Sequence, residues 1–143
     1  MRTAAKAILA LIVGAVLCLG ASSTAALAAK KKDTVINFFS GPTFNSGGEV
    51  KAKGDLHTAT ACKGQRVMKL QVLNANGAVI SAIDEHTTKK NNTFGNWSLS
   101  GHLPKNLPAA KNSVRVKVKK RTAGKFVCKA AFSGRFPIPV PIP

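Results

Sequence analysis

Tyrosine is absent from this chain, tryptophan occurs once, and five acidic residues face 22 basic ones. Each shortage excludes something. Five carboxylates leave few candidates for paired-acid chemistry, and only Asp84-Glu85-His86 brings acids and a histidine together. In an extended chain Asp84 and His86 point one way and Glu85 the other, which fits a polar strand end better than an acid–base pair or half a metal site. There is no Cys-x-x-Cys, no His-Glu-x-x-His, no Gly-x-Ser-x-Gly and no phosphate-binding glycine loop. These absences predict a protein that is not an enzyme and carries no cofactor and no metal. Seven phenylalanines and one tryptophan also give little material for stacking unpaired bases. Alternation assigns Phe38 or Phe39, Trp97, Phe126 and Phe132 to the core. Phe94, in a polar loop with Lys89 and Lys90, is the one aromatic expected outside. Sequence-specific nucleic-acid binding is disfavoured on that count.

The first residues are rich in what the rest lacks. Arg2 and Lys6 precede an apolar run from Ala7 to Leu19, and small residues follow up to Ala26-Leu27-Ala28. This is the layout of a secretory signal peptide over residues 1–28, with an A-x-A cleavage site. The run is short for a membrane span, which needs about 20 apolar residues. Val16-Leu17 before Cys18 argues against a lipoprotein. Cleavage removes two of the 22 basic residues, leaving 20 against five acids, a formal charge of +15. Of three cysteines, Cys18 goes with the signal. Cys62 and Cys128 remain, and in an exported chain two cysteines most simply form one disulfide. The localisation expected is secreted, in an oxidising extracellular compartment.

Short extended segments separated by turn residues fill the remainder. A frayed basic arm is expected at 29–33. Thr34 to Phe39 is rich in β-branched and aromatic residues, and Glu49 to Lys53 alternates. Thr58 to Cys62 reads as a further strand. Met68, Leu70 and Val72 share a face opposite Lys69 and Gln71, and Asn74-Ala75-Asn76-Gly77 supplies a turn before Ala78 to Ile83. Trp97 and Leu99 share a face of another strand. Gly101 to Asn112, with Pro104 and Pro108, is an irregular connection. Ser113 to Lys119 alternates valines with basic residues. Phe126, Cys128, Ala130 and Phe132 share one face of a last strand. No helical periodicity appears beyond the N-terminal apolar run. About seven or eight strands predict an all-β, antiparallel, Ig-like or prealbumin-like β-sandwich over 34–136 with one disulfide, Cys62–Cys128. Proline at alternate positions from Pro137 to Pro143 predicts an extended, polyproline-II-like tail over 137–143.

Charge is the feature with functional content. Arg115, Lys117 and Lys119 stand on one face of one strand, and Lys120, Arg121 and Lys125 extend the patch around a turn. Lys51 with Lys53, and Arg66 with Lys69, form similar pairs. The face is the solvated side of a sheet whose valines are buried, and its charge has two readings: it serves solubility alone, or, with so few acids to pair it, it attracts polyanions by counterion release. The partners expected are an anionic cell-wall polymer of teichoic-acid type, an acidic polysaccharide, an anionic lipid surface or extracellular DNA bound without sequence preference.

Cys62-Lys63-Gly64-Gln65-Arg66-Val67, then Gly95-Asn96-Trp97 and later Cys128 with Ser133, form a pattern that resembles a group of small secreted actinobacterial proteins. Those proteins look like relatives of transthyretin-like and carboxypeptidase-regulatory-like β-sandwich domains. The resemblance covers about residues 48–135. The chain departs from it in lacking a tyrosine in the strand before the second cysteine, where Val114 and Val116 stand. The resemblance implies a non-catalytic accessory or structural module and carries over no catalytic residue. The function expected is thus a secreted binding or structural β-sandwich. The alternative is a cationic antimicrobial or membrane-active effector, against which stands the lack of an amphipathic helix.

Overall fold

A computed structural model describes residues 28–142 of the chain. The expected signal peptide lies outside them except for Ala28. Eleven strands form among the described residues: β1 (Lys30–Lys32), β2 (Val35–Phe44), β3 (Glu49–His57), β4 (Val67–Leu73), β5 (Val79–Thr87), β6 (Asn96–His102), β7 (Ser113–Val118), β8 (Arg121–Ala123), β9 (Phe126–Cys128), β10 (Ala131–Phe132) and β11 (Phe136–Pro137). Six of these, β2 to β7, are six to ten residues long. The five short ones raise the number above the expected seven or eight.

The long strands follow from period-two patterning. Ser113–Val118 alternates half-buried and buried residues, with Val114, Val116 and Val118 fully enclosed. Asn96–His102 alternates likewise, with Trp97 and Leu99 inward. Strands β2-β3-β6 form one antiparallel sheet, and β10-β7-β4-β5, with β11 also on β7, form a second. Their facing side chains make one core, with Val50, Leu56 and Leu99 from the first sheet against Met68, Leu70, Val72 and the three valines from the second. Each such side chain contributes about 1.5–3 kcal/mol by leaving water. Phe38 meets Trp97 and Phe136 edge to face, with centroids 5.2 and 4.8 Å apart.

The turn expected between β4 and β5 forms: Gly77 N–H donates to Asn74 O at 2.9 Å, and Gly77 takes a φ of 82° that only glycine adopts freely. The two main sheets approach along one border, where the Asp84 carboxylate accepts the Ser100 N–H at 2.8 Å. The Asp84 acceptor is thus spent on backbone, and no hydrogen bond joins it to His86 among the described residues.

Four local expectations are corrected. Thr58 to Cys62 is not a strand: Thr60–Cys62 is a 3-10 turn, closed by Cys62 N–H on Ala59 O at 2.7 Å. The basic arm at 29–33 is not frayed, because Lys30–Lys32 pairs in parallel with Phe126–Cys128 in a third, small sheet, β1-β9-β8. The last strand does not run unbroken from Phe126 to Phe132. The chain leaves the small sheet after Cys128 and resumes as β10 on the edge of β7. The tail at 137–143 begins as strand: Phe136 pairs with Val114, and buried Ile138 donates its N–H to Asn112 O at 3.0 Å.

The disulfide joins Cys62 to Cys128 across a Cα–Cα distance of 5.4 Å and a sequence separation of 66. On the chain-entropy model a loop of this size stabilises the fold by roughly 4 kcal/mol.

Candidate anion-binding face

The outward face of the larger sheet is built by cross-strand register. Glu85 on β5, Lys69 on β4, Lys117 on β7 and Phe132 on β10 stand in one row. Gln71 and Arg115 are opposite each other in the next row. Lys119 lies just past the end of β7, and its N–H still donates to Val67 O at 2.9 Å, so the ladder continues through it.

Lys69 and Lys117 are like charges directly opposite, an arrangement that costs stability unless an anion intervenes. Glu85 supplies that anion on one side. It forms an ion pair with Lys69 and comes within 3.9 Å of Lys119. The hydrogen bond from Lys69 holds the Glu85 carboxyl below its usual value, and the same bond raises Lys69. Arg115 and Lys117 form no ion pair with a carboxylate among the described residues. Their contacts are polar or aromatic instead. Arg115 Nε donates to Gln71 Oε1 at 3.0 Å. The Arg115 guanidinium carbon lies 4.3 Å from the Phe132 ring centroid, and Lys117 Nζ lies 5.4 Å from it.

Phe132 is therefore not a core residue. It is 53% exposed and sits on the basic face, contrary to the alternation that places it inside. The physical reason is the break after Cys128. Ala131 pairs with inward Val118, so Phe132 pairs with outward Lys117. Ser133 then closes the edge, its Oγ accepting the Val116 N–H at 2.8 Å. Phe126 is half-buried between two cations, Lys32 at 5.4 Å and Lys125 at 5.6 Å from its centroid. Phe94 is exposed as expected, and Phe39 is exposed as well.

The six basic residues singled out in the sequence divide between two places. Arg115, Lys117 and Lys119 share the outer face just described. Lys120, Arg121 and Lys125 belong to the hairpin of the small sheet. Lys120 and Lys125 are exposed. Arg121 is committed to structure: its guanidinium donates to Gly64 O and, at 2.6 Å, to Gln65 Oε1. Lys51 forms an ion pair with Glu49 at 3.0 Å.

Arg66, grouped with Lys69 as a surface pair, is fully buried. Its guanidinium donates to Cys62 O at 2.9 Å, Lys129 O at 2.7 Å, Thr34 Oγ1 at 3.2 Å and Lys119 O at 3.0 and 3.3 Å. Burial, with some repulsion from Arg121, pushes its pKa down to about 10. It is a structural clamp and offers nothing to a ligand.

A separate cavity of about 920 Å³ lies between the loop carrying Leu107 and Pro108 and the tail residues Ile138 and Val140, and none of the six basic residues lines it. No group of three or more His, Cys, Asp or Glu side chains that could hold a metal ion forms among the described residues. No helix among them is long and apolar enough to cross a membrane. No family model, curated protein or solved structure matches the chain.

Proposed function

We propose that this is a secreted, non-enzymatic β-sandwich module that binds anionic polymers at the cell surface through the outer face of β7. The observation that carries this reading is the pair Arg115 and Lys117, which form no ion pair with a carboxylate among the described residues and are held over one exposed aromatic ring. Cations with bound acids gain little from a polyanion. Cations without them release condensed counterions when the polymer arrives. The disulfide supports an oxidising compartment, as does the signal-like N-terminus.

The test is binding of the oxidised protein, at physiological salt, to wall teichoic acid, duplex DNA and dextran sulfate, with a neutral glucan as control. A variant with Arg115, Lys117 and Lys119 all replaced by Glu runs alongside. The expected result is salt-sensitive binding to at least one anionic polymer, weakened by roughly tenfold or more in the variant. Equal binding by both proteins overturns the reading. Dye leakage from anionic vesicles would favour the membrane-active alternative.

A further inference from the structure

We infer that the cavity between the loop of Leu107 and Pro108 and the tail is a binding site for one anionic amphiphile, with its apolar chain along the cavity and its carboxylate or phosphate head on Arg135. The outward cations of β7 do not line this cavity, so the site stands apart from the polymer-binding face. Volume sets the size of the occupant. About 920 Å³ falls within the roughly 300–1,000 Å³ of pockets that take a single small molecule. The walls set its body: Leu107 and Pro108 line one side, and Ile138 and Val140 the other. Val140 is 86% exposed, a large apolar side chain that no described residue covers. Exposed apolar surface gathered round a cavity marks a binding site.

The charged groups set the head. Two cations, Lys111 and Arg135, line the cavity, and no Asp or Glu among the described residues does. Arg66, Arg115 and Arg121 each donate to a protein oxygen, whereas Arg135 has no hydrogen bond or ion pair among the described residues. Its guanidinium is nonetheless placed. Nη2 lies 2.2 Å from where a Cβ on Gly77 would stand, so it rests against the bare backbone of the β4–β5 turn. Asn74 and Ala75 of the same turn also line the cavity. A guanidinium meets a carboxylate or a phosphate through two parallel hydrogen bonds. Asn112 ties the two walls together. Its Nδ2 donates to Pro108 O at 2.8 Å, and its carbonyl accepts the Ile138 N–H at 3.0 Å. Walls already fixed lose little freedom when a ligand enters.

Fatty acids and lipid phosphates share this chemistry. The experiment is isothermal titration of the oxidised protein, below micellar concentrations, with decanoate, decyl phosphate, decanol and decyltrimethylammonium. Arg135→Gln, Ala110→Trp and Lys90→Gln run alongside. Ala110 is exposed on the loop and lines the cavity, so a larger side chain there fills the space without entering the core, and a thermal melt checks that the variant folds. Lys90 is an exposed cation outside the cavity. At least one anionic amphiphile is expected to bind at one equivalent per chain, about tenfold tighter than decanol. The tighter of the two names the head. Arg135→Gln should bring its affinity down to that of decanol, Ala110→Trp should weaken every ligand about tenfold, and Lys90→Gln should change nothing. Saturation by neither anionic amphiphile overturns the inference. Equal affinity for decanol or decyltrimethylammonium overturns it too, as does the same loss in Lys90→Gln as in Arg135→Gln, which is the mark of general attraction to a basic protein. Binding untouched by both Arg135→Gln and Ala110→Trp puts the ligand elsewhere and is equally fatal.

Discussion

Replacing Arg66 by Met removes the clamp and keeps most of the apolar stem. Three of the four acceptors are backbone carbonyls, of Cys62, Lys119 and Lys129, and no substitution removes those. A buried ion pair can be exchanged for well-packed apolar residues at little cost, because both partners leave together. Here only the donor leaves. Each carbonyl left without a partner costs about 1–3 kcal/mol, so three cost about 3–9 kcal/mol. Two effects reduce that sum: water entering the vacated space, and relief of the desolvation that pushes Arg66 down to about 10. The expected net loss is about 4 kcal/mol, comparable to the disulfide and a large share of the 5–15 kcal/mol that holds a typical domain. Urea unfolding of the oxidised protein, followed by Trp97 fluorescence, should show the midpoint falling by about 2 M. Arg66→Lys keeps a charge without the planar fork and should lose about half as much. Arg66 and the disulfide hold the same corner, since Cys62 O accepts from Arg66 Nη1. Reduction and Arg66→Met together should therefore cost less than their separate losses added, by about 1 kcal/mol or more. An Arg66→Met protein within about 0.5 kcal/mol of the parent would refute the reasoning, because the carbonyls would then have found other partners at no cost.

Gly54→Ala should destabilise by about 3 kcal/mol. Its Cβ would stand 1.8 Å from Asn37 O and 2.8 Å from Trp97 Cζ2, and moving Asn37 breaks the β2–β3 ladder. Gly124→Ala, with open space around it and a φ of 55°, should cost about 1 kcal/mol, and thermal melts of the two glycine variants beside the parent check both values. Acid should weaken the fold through Asp33, Glu49 and Glu85, whose carboxyls are lowered by Lys129, by Asn45 with Lys51, and by Lys69 with Lys119. Their folded values lie below their unfolded ones, so their contribution is complete above 4.5 and is lost as pH falls through the lowered values. Glu85→Gln should make the fall of the melting temperature in acid shallower. At neutral pH it should tighten anionic-polymer binding by freeing Lys69 and Lys119, and unchanged affinity would argue that the polymer does not approach this face.

Most of the fold could be read from alternation, because one residue's facing fixes its neighbours' within a strand. Val114, Val116 and Val118, Met68, Leu70 and Val72, and Trp97 with Leu99 all face inward as their patterns predict. Alternation fails where it counts across a break that it cannot detect. Phe126, Cys128, Ala130 and Phe132 keep the spacing of one face, yet Lys129 gives its carbonyl to Arg66 instead of a continuing ladder, and the chain changes sheets there. The phase restarts at Ala131, and an aromatic assigned to the core lands on the basic face. Arg66 fails in the opposite direction. Charge places it on the surface, but its acceptors come from Cys62, Lys119 and Lys129, which are adjacent only once the strands are assembled. Among so many basic residues, composition does not separate the buried clamp from the exposed ladder. The difference lies in where each cation finds acceptors. Arg66 and Arg121 end on carbonyl and amide oxygens of the protein itself. Arg115 and Lys117 end on an aromatic ring and one glutamine, and so keep the capacity to bind an anion from outside.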